Sequence, residues 1–319
     1  MRIVLVKRVG LLVVALVAAL VLAGCGDARP ARREGPPVVV ASFYPLQFVT
    51  ARITGREVLS LTQPGAEPHD LELRPRDLAT AHDADVLVYL RGFQPAVDDV
   101  ADRLGDRAFD VAPAATLEPV QPGGDAHGDE HGDEHGDAHG DEHGDEHLDP
   151  HFWLDPVRLS AVAQSVADQL ARADPAGAAG YVQRAAALRD DLADLDEAFR
   201  SGLARCASRN LVTSHAAFGY LARRYDLEQV SVSGIDPAAE PSSGDLARLA
   251  RFVRDNAVRT VYTETLANPA LARTVASAGG AGVAVLDPVE GLTDESPGRD
   301  YLEVMRADLA TLRQGQGCS

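Results

Sequence analysis

Lysine is almost absent from this chain: Lys7 is the only lysine among 319 residues, so arginine supplies nearly all of the positive charge. A phosphate-binding P-loop needs a lysine, and so does a Schiff base with a cofactor or carbonyl substrate. Acidic residues outnumber basic ones 48 to 30, which gives a net charge of −18 at pH 7. Nucleic-acid binding needs a basic face instead. These absences exclude P-loop and Schiff-base enzymes, and they argue against a nucleic-acid partner.

The first 24 residues have the pattern of an export signal. Arg2, Lys7 and Arg8 precede an apolar run over residues 9–23, which is short for a membrane span but suits a signal-peptide core. The run ends in Leu-Ala-Gly-Cys at residues 22–25, which resembles a bacterial lipobox. We therefore predict a lipoprotein signal peptide at 1–24, lipidation of Cys25, and a tether at 25–37 that anchors an extracytoplasmic protein to the cell membrane. The alternative is an ordinary secretory leader in which Cys25 is incidental.

Cysteine is scarce as well, with three in the chain. If Cys25 carries the lipid, Cys206 and Cys318 remain, and two leftover cysteines outside the cytoplasm most often pair. We therefore predict a disulfide between them. A cysteine metal site is the alternative, but it needs more soft ligands than the neighbouring sequence offers.

The chain after the tether alternates short β-branched runs with helical patterns, which predicts parallel sheets and an α/β fold. One helical stripe is much longer than the others. Asp174 is a good N-cap, Pro175 suits the first helical position, and apolar residues recur at helical spacing from Tyr181 to Leu203. We predict an N-terminal lobe at 38–173, a linking helix at 174–205 and a C-terminal lobe at 206–319. The alternative is a long surface helix within a single domain.

The segment 125–149 is rich in histidine and acid. Its stretch 125–147 holds ten acidic residues and no basic one. Glycines recur through it and disfavour a helix, so we predict a disordered loop that can bind zinc as an accessory site. A solvated acidic run that grew by repeat slippage is the alternative. The repeating histidines are His127, His131, His135, His139, His143 and His147.

Four histidines lie outside this segment. His69, His215 and Asp287 each follow a predicted strand, and His151 lies between prolines beside the only tryptophan. Residues at the carboxyl ends of parallel strands face the crevice where α/β proteins bind ligands. His82 lies in a helical pattern with no turn nearby, and we interpret it as a surface residue.

These residues stand in motifs that together resemble the metal-binding solute receptors of bacterial ABC importers, in particular the zinc-specific branch. The resemblance runs through nearly the whole chain after the tether, and the acidic histidine-rich insertion is typical of that branch. The motifs are Ser-Phe-Tyr-Pro at 42–45, Pro-His-Asp at 68–70, Leu-Arg-Pro at 73–75, His-Phe-Trp-Leu-Asp-Pro at 151–156, Thr-Ser-His-Ala-Ala-Phe-Gly-Tyr at 213–220, Glu-Pro-Ser at 240–242, Thr-Glu at 263–264 and Leu-Asp-Pro at 286–288.

The resemblance implies two α/β lobes joined by one long helix, with the metal buried between them. It implies that His69 and His151 come from the first lobe and that His215 and Asp287 come from the second. A third histidine, where the manganese branch usually has a carboxylate, points to Zn²⁺ as the transported ligand. Three imidazoles and one carboxylate also suit four-coordinate zinc, although water in place of Asp287 is an alternative.

The implied function is an extracytoplasmic zinc receptor, not an enzyme, that delivers Zn²⁺ to an ABC permease with a cytoplasmic ATPase. We expect a monomer. Each ligand histidine needs an acceptor for its second ring nitrogen, and the candidates are Glu240 and Glu264.

Three other functions stay open from the sequence. One is a receptor for manganese or another divalent metal. Another is a metal-storage or adhesion lipoprotein that works through the histidine-rich loop. The third is a zinc hydrolase, but the chain has neither a His-Glu-x-x-His nor a Gly-x-Ser-x-Gly motif, and nothing supports a nucleophilic pair that uses His215.

Overall fold

The computed structural model describes residues 35–120, 148–266 and 268–319. The described part of residues 37–319 forms one compact unit. Cys25 and the six histidines of the loop lie outside the described residues. Among the residues described, no helix combines the length and the hydropathy that a membrane span requires.

The first half of the unit is built on a parallel sheet with strand order β2-β1-β3-β4. Its central strands β1 and β3 are buried along their whole length, as expected for strands covered on both faces. Pro75 and Pro95 are the first residues of two of its helices. Proline is tolerated there because the first N–H of a helix makes no hydrogen bond within the helix. The elements are β1 (Val39–Ala41), α1 (Tyr44–Thr54), β2 (Leu59–Ser60), α2 (Pro75–Asp83), β3 (Val86–Tyr89), α3 (Pro95–Leu104), β4 (Ala108–Asp110) and α4 (Ala112–Ala115), with a short 3₁₀ helix at Gly105–Arg107.

The second half repeats this design with a parallel sheet of strand order β6-β5-β7-β8. In each half the first strand in sequence lies between the second and the third, so the chain crosses over this strand and the strand order changes direction there. The carboxyl ends of these parallel strands lie at one edge of the sheet. The elements are β5 (Asn210–Thr213), α7 (Gly219–Arg224), β6 (Glu228–Ser231), α8 (Ser243–Asp255), β7 (Thr260–Thr263), α9 (Ala270–Gly279), β8 (Gly282–Val285) and α10 (Tyr301–Gly315).

Two long helices, α5 (Pro156–Ala173) and α6 (Ala178–Gly202), lie between the halves in sequence and pack against each other. Helix α6 contacts α1 of the first half and α10 of the second, so it links the two sheets. At about 1.5 Å per residue, its 25 residues span roughly 38 Å. The predicted architecture, two α/β lobes with parallel sheets joined by a long helix, is confirmed.

The linking helix begins later than the predicted position. Asp174 ends α5 instead of beginning α6, and residues 174–177 form a turn in which the Gly177 N–H donates to the Asp174 carbonyl at 3.1 Å. The Asp174 carboxylate accepts a hydrogen bond from the Tyr181 hydroxyl at 2.8 Å, so it is engaged one turn into α6. Asp and Pro favour a turn as well as a helix start, and here the turn is formed.

One apolar cluster runs through both halves without a break. It includes Phe43 and Val49 from the first half, Leu188 from α6, and Leu286 and Tyr301 from the second half. Smaller clusters lie on the other face of each sheet. The two lobes therefore share their main core.

The predicted disulfide is present in the structure, where Cys206 is joined to Cys318. The bond ties the segment that follows α6 to the segment that follows α10, across 112 residues of sequence. The Ala207 N–H donates to the Gln316 carbonyl at 3.0 Å beside it, so backbone contacts support the same junction.

Replacement of both cysteines, Cys206→Ser with Cys318→Ser, should lower the free energy of unfolding by about 2–5 kcal/mol, because a long loop in the unfolded chain is released. Urea unfolding of the oxidised parent and of the double variant measures the difference. Equal midpoints and slopes for the two proteins would contradict a stabilising disulfide.

Candidate metal centre

His69 lies in the loop between β2 and α2, with 11% of its side chain exposed. The Glu67 carboxylate accepts a hydrogen bond from the His69 N–H at 3.1 Å, and the Gln94 side chain donates to the Pro68 carbonyl at 3.1 Å. The ring of His69 meets Phe93 edge-on, with centroids 4.8 Å apart. These contacts fix the imidazole in a loop that has no regular structure of its own.

His151 is fully buried just before the short 3₁₀ helix Phe152–Leu154. One carboxylate oxygen of Asp149 accepts from the His151 N–H at 3.0 Å and lies 2.8 Å from its Nδ1. The Tyr220 hydroxyl donates to the Asp149 carbonyl at 2.9 Å, so a residue of the second half supports this segment. With Nδ1 engaged, Nε2 is the ring atom that points away from Asp149.

His215 follows β5, and Glu264 follows the neighbouring strand β7. Glu264 contacts Nδ1 of His215 at 2.5 Å with one oxygen. Its other oxygen accepts from the His215 N–H at 3.1 Å and from the Ser214 hydroxyl at 2.5 Å. Of the two carboxylates predicted to orient a histidine, the structure thus places Glu264 against an imidazole, whereas Glu240 is exposed ahead of α8.

The three imidazoles meet at one carboxylate oxygen of Glu290. The distances from Oε1 to Nε2 are 3.1 Å for His151 and 3.5 Å for both His69 and His215. One ligand atom from each of the four residues lies within 4.8 Å of the other three. The Nε2 atoms of His69 and His215 are buried and have no hydrogen-bond partner among the described residues. Three inward-facing nitrogens and one oxygen are the donor set that zinc favours.

The structure brings Glu290 to the place where the sequence predicts Asp287. Asp287 follows β8 as expected, but its carboxylate is turned away from the four-residue group. One oxygen accepts from the Val289 N–H at 2.8 Å, and the other accepts from the Ser296 hydroxyl at 3.1 Å. His82 lies on α2 with 80% of its side chain exposed, and it is not one of the four residues of this group.

Glu290 was missed because the strand-end rule favours the first polar residue after a strand, which is Asp287. The chain makes a turn at 287–290 in which Val289 has a φ of +57°. Non-glycine residues rarely adopt this conformation, so no pattern in the sequence predicts the turn. The available signal was a second carboxylate three residues later in the same strand-end loop.

Opposing charges set the protonation of the group. Burial lowers the pKa of His215, but Glu264 and Glu290 outweigh it and hold the pKa well above its usual value. Burial also lowers the pKa of His151, and its hydrogen bonds to Asp149 and Glu290 raise it above the usual value. Burial raises the pKa of Glu290, but the three histidines bring it well below its usual range. Burial, aided by the charge of Glu290, raises the pKa of the nearby Glu67 to about 7.

A buried group of three imidazoles and one carboxylate, flanked by two parallel-sheet lobes, defines the class of metal-binding receptors. The model of the family described as zinc-uptake complex component A, periplasmic, matches residues 39–315. The chain belongs to this family.

Relatives and solved structures agree with this assignment. The chain is 35% identical over 313 residues to the zinc-binding lipoprotein AdcA of Streptococcus pneumoniae strain R6, which covers 97% of this chain and 61% of that protein. It is 32% identical over 302 residues to the high-affinity zinc uptake system protein ZnuA of Bacillus subtilis, covering 92% and 93%. The chain thus spans about three fifths of the length of the AdcA relatives that it matches.

The Zn(II)-bound ZnuA-like domain of Streptococcus pneumoniae AdcA has a similar structure. The TM-score is 0.70 at 32% identity, with 88% of this chain and 99% of that domain covered. The two-lobed fold of this chain is therefore that of a zinc-bound protein domain.

Glu264→Gln should lower the pKa of His215 toward the usual histidine value of about 6.5, because the substitution removes a negative charge that contacts Nδ1. An NMR titration of the histidine ring resonances in metal-free protein measures this shift. Glu240→Gln is the matched control and should leave His215 unchanged. An unaltered His215 titration in Glu264→Gln would contradict the role of this contact.

Proposed function

We propose that this protein is an extracytoplasmic receptor that binds one zinc ion and delivers it to an ABC permease. The ligands are Nε2 of His69, His151 and His215 and a carboxylate oxygen of Glu290, which takes the place first predicted for Asp287. The observation that carries the proposal is the convergence of these four buried donor atoms within 4.8 Å.

The donor set favours zinc over harder cations. Three imidazole nitrogens and one carboxylate oxygen match the usual tetrahedral zinc site. Manganese and other hard cations prefer more oxygen ligands in a larger coordination sphere. We therefore infer Zn²⁺ as the transported ligand, in line with the zinc-bound AdcA domain that shares the fold.

The geometry favours a closed binding site over a catalytic one. A catalytic zinc keeps an open position for water beside three protein ligands. Here the protein offers a fourth ligand, and the side chains of His151, His215 and Glu290 are at most 1% exposed. A buried four-ligand site suits an ion that is carried, not an ion that activates water.

The location and partners follow from the leader and the family. The lipobox-like residues 22–25 and the lipoprotein name of the pneumococcal relative support a lipid anchor at Cys25 and a tether to residue 37. The family description as a component of a zinc-uptake complex supports a membrane permease, driven by an ATPase, as the partner. We take the receptor to act as a monomer, with lobes at 38–173 and 206–319 around the linking segment 174–205.

The histidine-rich segment is an accessory part of this function. Its six histidines are spaced four residues apart between acidic residues. The recurring glycines predict a chain without regular structure, and ordering such a chain on binding would make its zinc affinity lower than that of the four-residue group. Pro119, before the segment, and Leu148, near its end, form a backbone bridge, and Asp149 follows Leu148. The described residues on either side of 121–147 are thus joined next to Asp149, which contacts His151.

Deletion of residues 125–147 should leave one tight zinc site per chain, because the four ligands lie outside the deletion. Zinc titration of the metal-free protein against a competing chelator measures affinity and stoichiometry. His215→Ala in the deleted chain should weaken binding by more than about 100-fold, because losing a ligand costs more than losing a residue that only orients one. His82→Ala, which removes an exposed histidine, is the matched control and should change nothing. Loss of the tight site on deletion alone would favour storage by the histidine-rich segment.

Zinc binding should release protons at pH 7, and the affinity should fall as the pH is lowered. The sign follows from the raised pKa of His151 and His215: these imidazoles bind protons in the metal-free pocket, and zinc must displace them. The fall should begin above about pH 6.5, the usual histidine pKa. Calorimetric titration in buffers of different ionisation enthalpy counts the protons. Zinc binding without proton release, and with constant affinity from pH 8 to about 6, would contradict histidine ligation.

A further inference from the structure

The turn that carries Glu290 has a strained backbone. Val289 has a φ of +57°, in the left-handed region that β-branched residues rarely adopt. Its side chain is fully buried in the main core, so the residue is also held by packing. A conformation of this kind persists only when its surroundings determine it, and it is concentrated at functional sites.

Three hydrogen bonds hold this turn, one within it and two from other elements. The Asp287 carboxylate accepts from the Val289 N–H at 2.8 Å. The Asp308 carboxylate, on α10, accepts from the Asp287 N–H at 3.0 Å. The Trp153 indole N–H, two residues after His151, donates to the Pro288 carbonyl at 2.8 Å. The N–H groups of Asp287 and Val289 and the Pro288 carbonyl thus each have a partner, as buried backbone groups require.

Asp287 is the centre of this arrangement. Both its oxygens are engaged, by Val289 and by the Ser296 hydroxyl at 3.1 Å, and the residue is 1% exposed. A residue before proline favours extended backbone, and the Asp287 carboxylate contacts the N–H two residues later. The carboxylate therefore acts as a cap on the N–H of the strained residue, in the way that Asp caps other turns.

We propose that Asp287 is a positioning residue for the fourth ligand, an inference that rests on the proposed zinc site. By capping Val289 it keeps that residue left-handed, and the left-handed residue directs Glu290 toward the three imidazoles. Without the cap, the buried Val289 N–H has no partner. An ordinary backbone conformation is then lower in free energy than the left-handed one, and it carries Glu290 away from the three imidazoles. Asp308 and Trp153 hold the two residues before Val289 in the same way.

Four full-chain variants test this proposal with zinc alone as the probe. Asp287→Ala should weaken zinc affinity by about tenfold or more, the usual effect of losing a residue that orients a ligand. Asp287→Asn should retain most of the affinity, because the amide oxygen still accepts from the Val289 N–H. Val289→Gly combined with Asp287→Ala should recover affinity lost in Asp287→Ala, because glycine adopts a positive φ without the cap. Val289→Gly alone is the reference for that double variant.

These outcomes separate positioning from direct ligation. If Asp287 were a ligand, Asp287→Asn would lose affinity as Asp287→Ala does, and Val289→Gly would give no recovery; either result overturns the proposal. Thermal melting of the metal-free variants reports stability separately, since Val289→Gly also removes a buried side chain. The comparison of Asp287→Asn with the parent remains decisive if the alanine variant does not fold.

Asp110→Ala is the matched control. Like Asp287, the Asp110 carboxylate accepts a hydrogen bond from the N–H two residues later, here that of Ala112 at 2.9 Å. Asp110 lies at the end of β4 and is not part of the four-residue group. It should lower thermal stability and leave zinc affinity unchanged. A parent protein whose zinc binding does not depend on His215 would contradict the zinc site itself. If zinc binding depends on His215 but its affinity is the same in Asp287→Ala as in the parent, only the positioning role is contradicted.

Discussion

The mutual compensation of charge among three imidazoles and one buried carboxylate is the constraint on which this structure depends. An isolated ionised carboxylate in this position would be very costly, and so would isolated imidazolium groups at His151 and His215. Glu290 and the histidines reduce this cost for one another, and Asp149 and Glu264 add charge from outside. The group can therefore form without an ion, and the inward Nε2 atoms of His69 and His215 have no hydrogen-bond partner among the described residues.

The same constraint explains why the surrounding contacts are directional. His151 and His215 each have Nδ1 against a carboxylate, which leaves Nε2 for the centre. His69 is held differently, through its backbone N–H and the edge of Phe93. The lobes meet through these residues and through Trp153 and Tyr301, whose hydroxyl donates to the Trp153 carbonyl at 2.5 Å. Packing and ligand orientation are thus achieved by the same side chains.

The sequence predicts the parts of this molecule that depend on local pattern. Alternating strands and helices indicate the α/β class, and histidines at strand ends indicate a site between lobes. His69, His151 and His215 are accordingly found together in the structure. Glu290 was not predicted because its position depends on a positive φ at Val289, which is maintained by Asp287 and by α10. The start of α6 was misplaced because Asp174 and Pro175 are equally suited to a turn. Tertiary contacts decide the position of Glu290 and the start of α6, and such contacts cannot be read from a local sequence pattern.

The shared core has a consequence for how an ion reaches the pocket. Because one apolar cluster runs through both lobes and α6, swinging the lobes apart would bring much of that cluster into water, at about 25 cal/mol for each Å² exposed. Local motion of a loop costs far less. Of the four converging side chains, His69 is the one with appreciable solvent contact, at 11% against at most 1% for the others. An ion that diffuses from solvent toward the four-residue group therefore meets the imidazole on the β2–α2 loop before the three deeper side chains.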